Sequence, residues 1–218
     1  MSYRELLKKA TGLKKEKRYD EACQVLRVAY QSADVGEVIL IGERLRLPVY
    51  LFLAGRKDEA WQDLNFLSSQ HAEFCYQIPI RTQMRIFSEK EGRWNDAIFY
   101  AAWVWVLSVK DMIFFVKVVH DRADEEAESS SAWGDHKPLA YTEKGSPIYD
   151  VAHNHMLKSL NDHLDIDRID NEFYWLCQKI GKPDLSELIA DKLLEIIEAE
   201  DESGEWVGEL HSFFRRML

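Results

Sequence analysis

Proline, glycine and cysteine are scarce in this chain of 218 residues, which contains 5, 10 and 3 of them. So few Pro and Gly residues leave little of the chain for turns and loops. The cysteines, Cys23, Cys75 and Cys177, lie far apart and lack Cys-x-x-Cys spacing. This argues against a disulfide framework or a cysteine zinc site and favours reduced thiols in a cytoplasmic protein. Strand-like alternation is also hard to find, so the sequence predicts an all-α fold.

Long apolar runs are also lacking, and we expect neither a membrane-spanning helix nor a signal segment. A spanning helix needs about 20 apolar residues, whereas the run 97–107 soon meets Lys110 and Asp111. Apolar residues on every side of so short a helix predict a central, buried helix. At the N-terminus, Ser2 and Glu5 have the spacing of a capping box that starts a first helix.

Basic residues are too few for a nucleic-acid-binding protein. The chain has 28 Lys and Arg against 38 Asp and Glu, a net charge of −10. Residues 1–120 hold 18 basic and 15 acidic residues, whereas residues 121–218 hold 10 and 23. Phosphate contacts require clustered Lys and Arg, so no nucleic-acid partner is expected. The acidic half suits a basic protein partner, although acidic helix faces also serve solubility.

Three short phrases recur, at residues 17–22, 55–60 and 92–97. Each places a turn and one or two acidic residues before an Ala that opens an apolar helical run. The three alanines are separated by 38 and 37 residues. A fixed period of about 20–50 residues is typical of a solenoid, in which each unit stacks on a neighbour to bury its apolar face.

These phrases resemble the turn of the tetratricopeptide repeat, in which Gly-x-aromatic-acidic-acidic-Ala joins two antiparallel helices. Gly55 and Gly92 stand at the turn glycine, which Lys17 replaces in the first phrase. The aromatic position holds Tyr19 and Trp94, but Lys57 in the second phrase. The small position holds Ala22, Ala60 and Ala97. The repeat's large aromatic residue early in the first helix is missing from this chain, where Leu6, Arg44 and Arg81 stand in its place. The resemblance covers roughly residues 2–110 and implies about three stacked helical hairpins that bind another protein.

The predicted organisation has three parts. Residues 2–125 form the tetratricopeptide-like repeats, residues 126–146 a loop or linker rich in Ser, Gly and Pro, and residues 147–218 an acidic helical region packed on the repeats. Asp184 and Glu187 have the spacing of a second capping box. Helices are predicted at residues 3–16, 20–33, 36–54, 58–70, 78–91, 94–125, 147–163, 167–180, 185–200 and 204–217.

The resemblance implies a binding groove lined by the first helix of each hairpin. Arginine binds carboxylates well, and apolar neighbours add contact area, so an acidic, partly apolar peptide is the expected ligand. The alternative is that these cations pair with neighbouring acidic residues or face outward. The predicted groove residues are Arg4, Lys8, Lys15, Arg44, Leu45, Val49, Phe52, Arg81 and Arg85.

The last helix carries an apolar stripe that includes Trp206, Phe213 and Phe214. Helical spacing makes this stripe a docking face. Packing as a terminal cap of the repeats is the first interpretation, because solenoid ends must be covered. A second interface for a partner is the alternative.

No phosphate loop, nucleophile elbow or HExxH motif is present, and neither a metal nor a cofactor is expected. The nearest approach to a metal site is Asp150 with His153 and, further on, His163. His153 and His155 lie about 200° apart around a helix and cannot share one metal from it.

The sequence therefore predicts a non-enzymatic scaffold or adaptor that binds a protein or peptide. The first alternative is a dedicated inhibitor, immunity-type protein or chaperone that masks one basic partner, which is an analogy from fold and charge. The second is a metal-dependent enzyme centred on Asp150, His153 and His163. A third possibility is autoinhibition, in which the 127–146 loop occupies the groove through Trp133 or Tyr141.

Overall fold

The computed structural model describes residues 1–33, 39–129, 157–199 and 205–218, with the backbone alone over 115–129. Those residues contain helices and no strand, which confirms the all-α class. Residues 157–164 are also helical. The other helices are α1 (Tyr3–Lys15), α2 (Tyr19–Gln31), α3 (Ile41–Arg44), α4 (Arg46–Leu53), α5 (Lys57–Gln70), α6 (Phe74–Lys90), α7 (Trp94–Ser129), α8 (Ile166–Lys179), α9 (Leu185–Glu198) and α10 (Trp206–Met217).

The chain forms two compact units, residues 1–100 and residues 101–218. The division falls inside α7, so this one helix belongs to both units. The sequence instead places a boundary after residue 125. Because α7 continues to Ser129, the predicted linker begins as helix, and its remainder, 130–146, lies outside the described residues, as do residues 147–156.

Several predicted helix ends require correction. The single helix expected at 36–54 is interrupted at Leu45, which separates α3 from α4, and residues 34–38 are outside the described part. Helix α6 begins at Phe74, before the predicted residue 78, and it includes Pro79. The buried side-chain amide of Gln77 explains why α6 begins early, because its Nε2 donates to the carbonyls of Ser68 and His71 at the end of α5.

Of the two capping boxes, one is confirmed and one is wrong. The Ser2 hydroxyl accepts from the Glu5 amide while the Glu5 carboxylate accepts from the Ser2 amide. The Asp184 side chain makes no such bond. Its backbone is already helical, at φ −66° and ψ −10°, whereas a capping side chain needs an extended backbone to reach the helix amides.

The three recurring phrases form turns of the same geometry. Lys17, Gly55 and Gly92 all have positive φ, of 61°, 81° and 71°. In each turn the next amide donates to a carbonyl five residues earlier, which satisfies a helix end as in a Schellman motif. These bonds are Arg18 to Leu13, Arg56 to Leu51 and Arg93 to Ser88, each 2.9 Å long.

The small residue that follows each turn is fully buried. Ala22, Ala60 and Ala97 have no exposed surface, as is needed where two helix backbones approach closely. In the first unit α1 packs on α2, α2 on α4, α4 on α5, and α5 on α6. The first unit therefore buries its apolar residues between consecutive helices, while the stacking of the pairs as a regular repeat stays a prediction.

A fourth turn of the same geometry joins α8 to α9. Gly181 has φ 71°, and the Lys182 amide donates to the Cys177 carbonyl at 3.1 Å. Five residues after Gly181, Ser186 is buried, as the alanines are. The second unit thus contains a helix pair with the turn found in the first unit.

Helix α7 includes the chain's most apolar described stretch. By length and composition alone, Trp94–Phe114 is apolar enough to cross a membrane, with a mean hydropathy of 1.5. Many of its side chains are buried within the protein, among them Ile98, Ala102, Val106 and Val109. This burial agrees with the central, buried helix that the sequence predicts.

Candidate partner-binding surface

The predicted groove residues lie on α1, on α3 and α4, and on α6. Arg4, Lys8 and Lys15 are exposed on α1. Val49 and Phe52 are partly buried on α4, as is Leu45 just before it, and all three pack against the core of the first unit. The predicted cations have different neighbours on each helix.

Arg4 is already engaged by a carboxylate of its own chain. Its Nη1 lies 2.8 Å from Glu43 Oε1, and the Tyr3 hydroxyl donates to Glu43 Oε2 at 3.0 Å. Burial and this acidic neighbour raise the pKa of Tyr3 to about 12. Glu43 therefore holds α3 against α1, and Arg4 stabilises that contact.

Arg44 and Arg81 pack over tyrosine rings. The Arg44 guanidinium lies 5.1 Å from the centre of the Tyr30 ring, and that of Arg81 lies 6.0 Å from the Tyr100 ring. Burial lowers the pKa of Arg81. These two arginines stand where the tetratricopeptide repeat has its early aromatic residue, and they too fill space between helices.

Arg85 also has a neighbour within its own helix. Its Nε lies 3.2 Å from Glu89 Oε1, one helical turn further on. All four predicted arginines, Arg4, Arg44, Arg81 and Arg85, thus contact residues of their own chain. The positive charge of a binding surface must therefore come from other cations.

The apolar centre of the surface is the end of α4. The Phe52 ring stacks on Phe87 of α6, with the ring centres 4.0 Å apart. Leu53, the next residue, is 37% exposed. Val49 lies one turn before them and is half-buried. Together these side chains present an apolar strip that is open to solvent on one side.

Four cations lie close to the two aromatic rings of α4, and none of them was predicted from the sequence. Their charged groups lie 5.5–5.9 Å from the centre of an α4 ring. They are Lys14 and Arg46 at Tyr50, and Lys57 and Lys90 at Phe52. Lys14, Lys57 and Lys90 lie within three residues of a recurring turn, which was the available signal for them, whereas Arg46 begins α4 and had no such signal.

Arg46 also ties α4 to α1. Its Nη2 donates to the Leu7 carbonyl at 2.8 Å and to Thr11 Oγ1 at 2.6 Å. Arg46 is therefore engaged by polar groups of its own chain.

The arginine that follows each turn has a structural role that the sequence reading also missed. Each donates through Nε to the acidic residue three positions on, at 2.6–2.7 Å. The pairs are Arg18 with Glu21, Arg56 with Glu59, and Arg93 with Asp96. An arginine at the same place in all three phrases was the visible signal.

The stripe of the last helix is buried inside the second unit. Trp206, Phe213 and Phe214 are all buried. The Trp206 ring meets Trp103 of α7 edge-on, with centres 6.1 Å apart. These side chains therefore pack within the second unit instead of offering an open surface.

The described residues contain no group of three or more His, Cys, Asp or Glu side chains placed to hold a metal ion. Asp150, His153 and His155 lie outside those residues. His163 is described, and its Nδ1 lies 2.8 Å from the Ser159 carbonyl.

No protein-family model, no curated protein and no solved structure matches the chain. The interpretation of the surface therefore rests on the residues and contacts of the chain itself.

Proposed function

We propose that the chain is a non-enzymatic, cytoplasmic protein that binds a partner protein through its first unit. The site is the apolar strip Val49–Leu53 together with the cations around it, and the ligand is an acidic, partly apolar peptide segment. The observation that carries the proposal is the open apolar strip at the end of α4 together with the lysines at the rings of that helix, Lys14 at Tyr50 and Lys57 and Lys90 at Phe52.

The charges around the strip differ in how free they are. Lys57 already lies 3.5 Å from Glu91, whereas Lys14 and Lys90 form no ion pair within the described part of the chain. Exposed ion pairs contribute little free energy singly, about 0–1 kcal/mol each. The apolar strip therefore supplies most of the affinity, while Lys14 and Lys90 select an acidic ligand and orient it.

Charge reversal of the two free lysines tests the proposal. A Lys14→Glu, Lys90→Glu double variant should lose the partners that the wild-type chain captures from native lysate, as quantified by mass spectrometry. The control reverses Lys9 and Lys158, which are exposed at other places and change the net charge equally. Equal loss in both variants, or retention in both, would contradict the proposal.

The masking of a basic partner by the acidic second unit is the second candidate. Residues 101–218 hold 12 basic and 24 acidic residues, and such a field favours association with a basic surface. Reversal of Asp162 and Asp167 to lysine separates the two. If this variant loses the captured partners and the Lys14, Lys90 variant keeps them, the interface lies on the second unit.

A further inference from the structure

One register position recurs on the second helix of each hairpin, six residues after the buried small residue. It holds Val28 on α2 and Phe66 on α5, which are 52% and 60% exposed. On α7 it holds Trp103, and on α9, counted from Ser186, it holds Lys192. The same register position thus occurs on four helices, with a different side chain on each.

In the second unit α10 contacts the side chain at this position on both helices. Trp103 meets the rings of Trp206 and His211, with centres 6.1 Å and 5.8 Å away. The Lys192 ammonium group lies 3.0 Å from Glu209 Oε2. The occupant of this position is thus visible within the chain: an amphipathic helix that places an aromatic side chain on an apolar residue.

In the first unit the same position is open on two neighbouring helices. Arg27 Nη2 lies 3.2 Å from Glu59 Oε2, which ties α2 to α5 next to Val28. The exposed residues nearby are mostly uncharged: Gln24, Gln31, Gln62, Asn65 and Ser69. Protein interfaces are depleted of charge and enriched in aromatic residues at their centres, and this face has that composition in a chain that is 30% charged.

We propose that the outer face of α2 and α5, centred on Val28 and Phe66, binds an amphipathic helix of a partner protein in the way that α10 covers α7 and α9. The partner helix presents an aromatic or large aliphatic residue to Phe66. Its flanks are polar, because they meet the amides beside Val28 and Phe66. This face belongs to the second helices of the hairpins and does not depend on the cation-flanked strip of α4.

A synthetic peptide with the sequence of residues 205–218 is the probe, because this segment is the occupant seen in the second unit. It is titrated into the isotope-labelled full chain while the Val28 methyl and Phe66 ring signals are followed by NMR. We expect saturable shifts at both residues. A Phe66→Glu variant should bind the peptide at least about tenfold more weakly, as for loss of a central aromatic anchor.

Leu188→Glu is the matched control, because Leu188 is 49% exposed on α9 and lies outside the proposed face. Its affinity for the peptide should equal that of the wild type. The proposal is overturned by an absence of shifts at Val28 and Phe66 at millimolar peptide, by equal binding to Phe66→Glu, or by shifts confined to Trp103. Self-association of the wild type that Phe66→Glu abolishes, seen by sedimentation, would assign the face to a second copy and overturn it too.

Discussion

Lys17 and Gly55 occupy the same left-handed turn position, with φ of 61° and 81°. A side chain in this conformation costs about 1–2 kcal/mol, which glycine avoids. Lys17 is the one described non-glycine residue with positive φ. The first turn therefore keeps the geometry of the others at an energetic disadvantage.

Gly55→Ala should destabilise the protein by about 1 kcal/mol, through the backbone alone. No atom lies within 4 Å of a Cβ added at Gly55, so no steric contact contributes. Gly12→Ala is the control, because Gly12 is helical and equally open. It should stabilise by about 0.5–1 kcal/mol, since alanine favours the helix. Urea unfolding of both variants measures the difference, and shifts of the same sign would contradict the turn argument.

Ala60→Leu should destabilise the protein by about 1–3 kcal/mol, because a larger side chain at a fully buried helix crossing forces the backbones apart. Ala60 has no exposed surface. The same residue introduced at the exposed Gln62, one half-turn away on α5, should change the free energy of unfolding by no more than about 0.5 kcal/mol. Chemical unfolding gives both values; a tolerated Ala60→Leu would show that the crossing is not close.

Glu91→Gln should destabilise the protein at neutral pH and lose this effect in acid. The Trp61 indole donates to Glu91 at 3.0 Å, and Lys57 and Arg93 lie within 3.5 Å. Burial opposes ionisation, but these partners together lower the pKa of Glu91. A lowered native pKa adds stability above the unfolded pKa, and this stability is lost as pH falls through the native pKa.

The expected cost of Glu91→Gln is about 1–2 kcal/mol at pH 7, in the range of hydrogen bonds to a charged group. Thermal unfolding from pH 7 down to pH 3 gives the dependence. Glu73→Gln is a suitable comparison, because Glu73 is exposed at the start of α6. A deficit of Glu91→Gln that persists unchanged in acid would mean that the carboxylate charge is not what stabilises this contact.

Cys75 should react with a thiol reagent long before Cys23 and Cys177 do. Cys75 is exposed and the other two are buried, and burial raises the pKa of both to about 11. The thiolate is the reactive form, so at pH 8 the buried pair should react at the rate of unfolding. We expect one thiol per native chain to react rapidly, and all three thiols to react rapidly after denaturation. Cys75→Ser should abolish the fast phase; a fast phase that remains would contradict the burial of the pair.

The predictions that were correct came from sequence patterns within a few neighbouring residues. Each recurring turn and the Ser2 cap depend on backbone conformation and hydrogen bonds within a few residues, which local spacing can encode. The burial of Ala22, Ala60 and Ala97 follows from the same phrases. The Asp184 cap was wrong for a local reason as well, since Pro183 precedes it and the helical backbone at Asp184 removes the capping geometry.

The candidate surface was predicted only in outline. Val49 and Phe52 lie on a helix as predicted, and their membership of a binding surface stays a prediction, whereas Arg44 and Arg81 pack on tyrosines. Lys14 and Lys90 were missed, because each approaches an aromatic ring of another helix. Such pairs depend on how helices pack side by side, and no spacing along one helix reports that.

By itself the sequence determined the helical class, the recurring turns and the small buried residues, because these arise from interactions within one or two helical turns. Tertiary structure alone decided which cations lie beside the aromatic rings of α4, that Trp206 is buried against Trp103, and that Val28 and Phe66 stay exposed at an equivalent position. The physical reason is that solvent exposure belongs to the packed assembly of helices: whether a side chain meets water or a neighbour depends on residues far away in the chain.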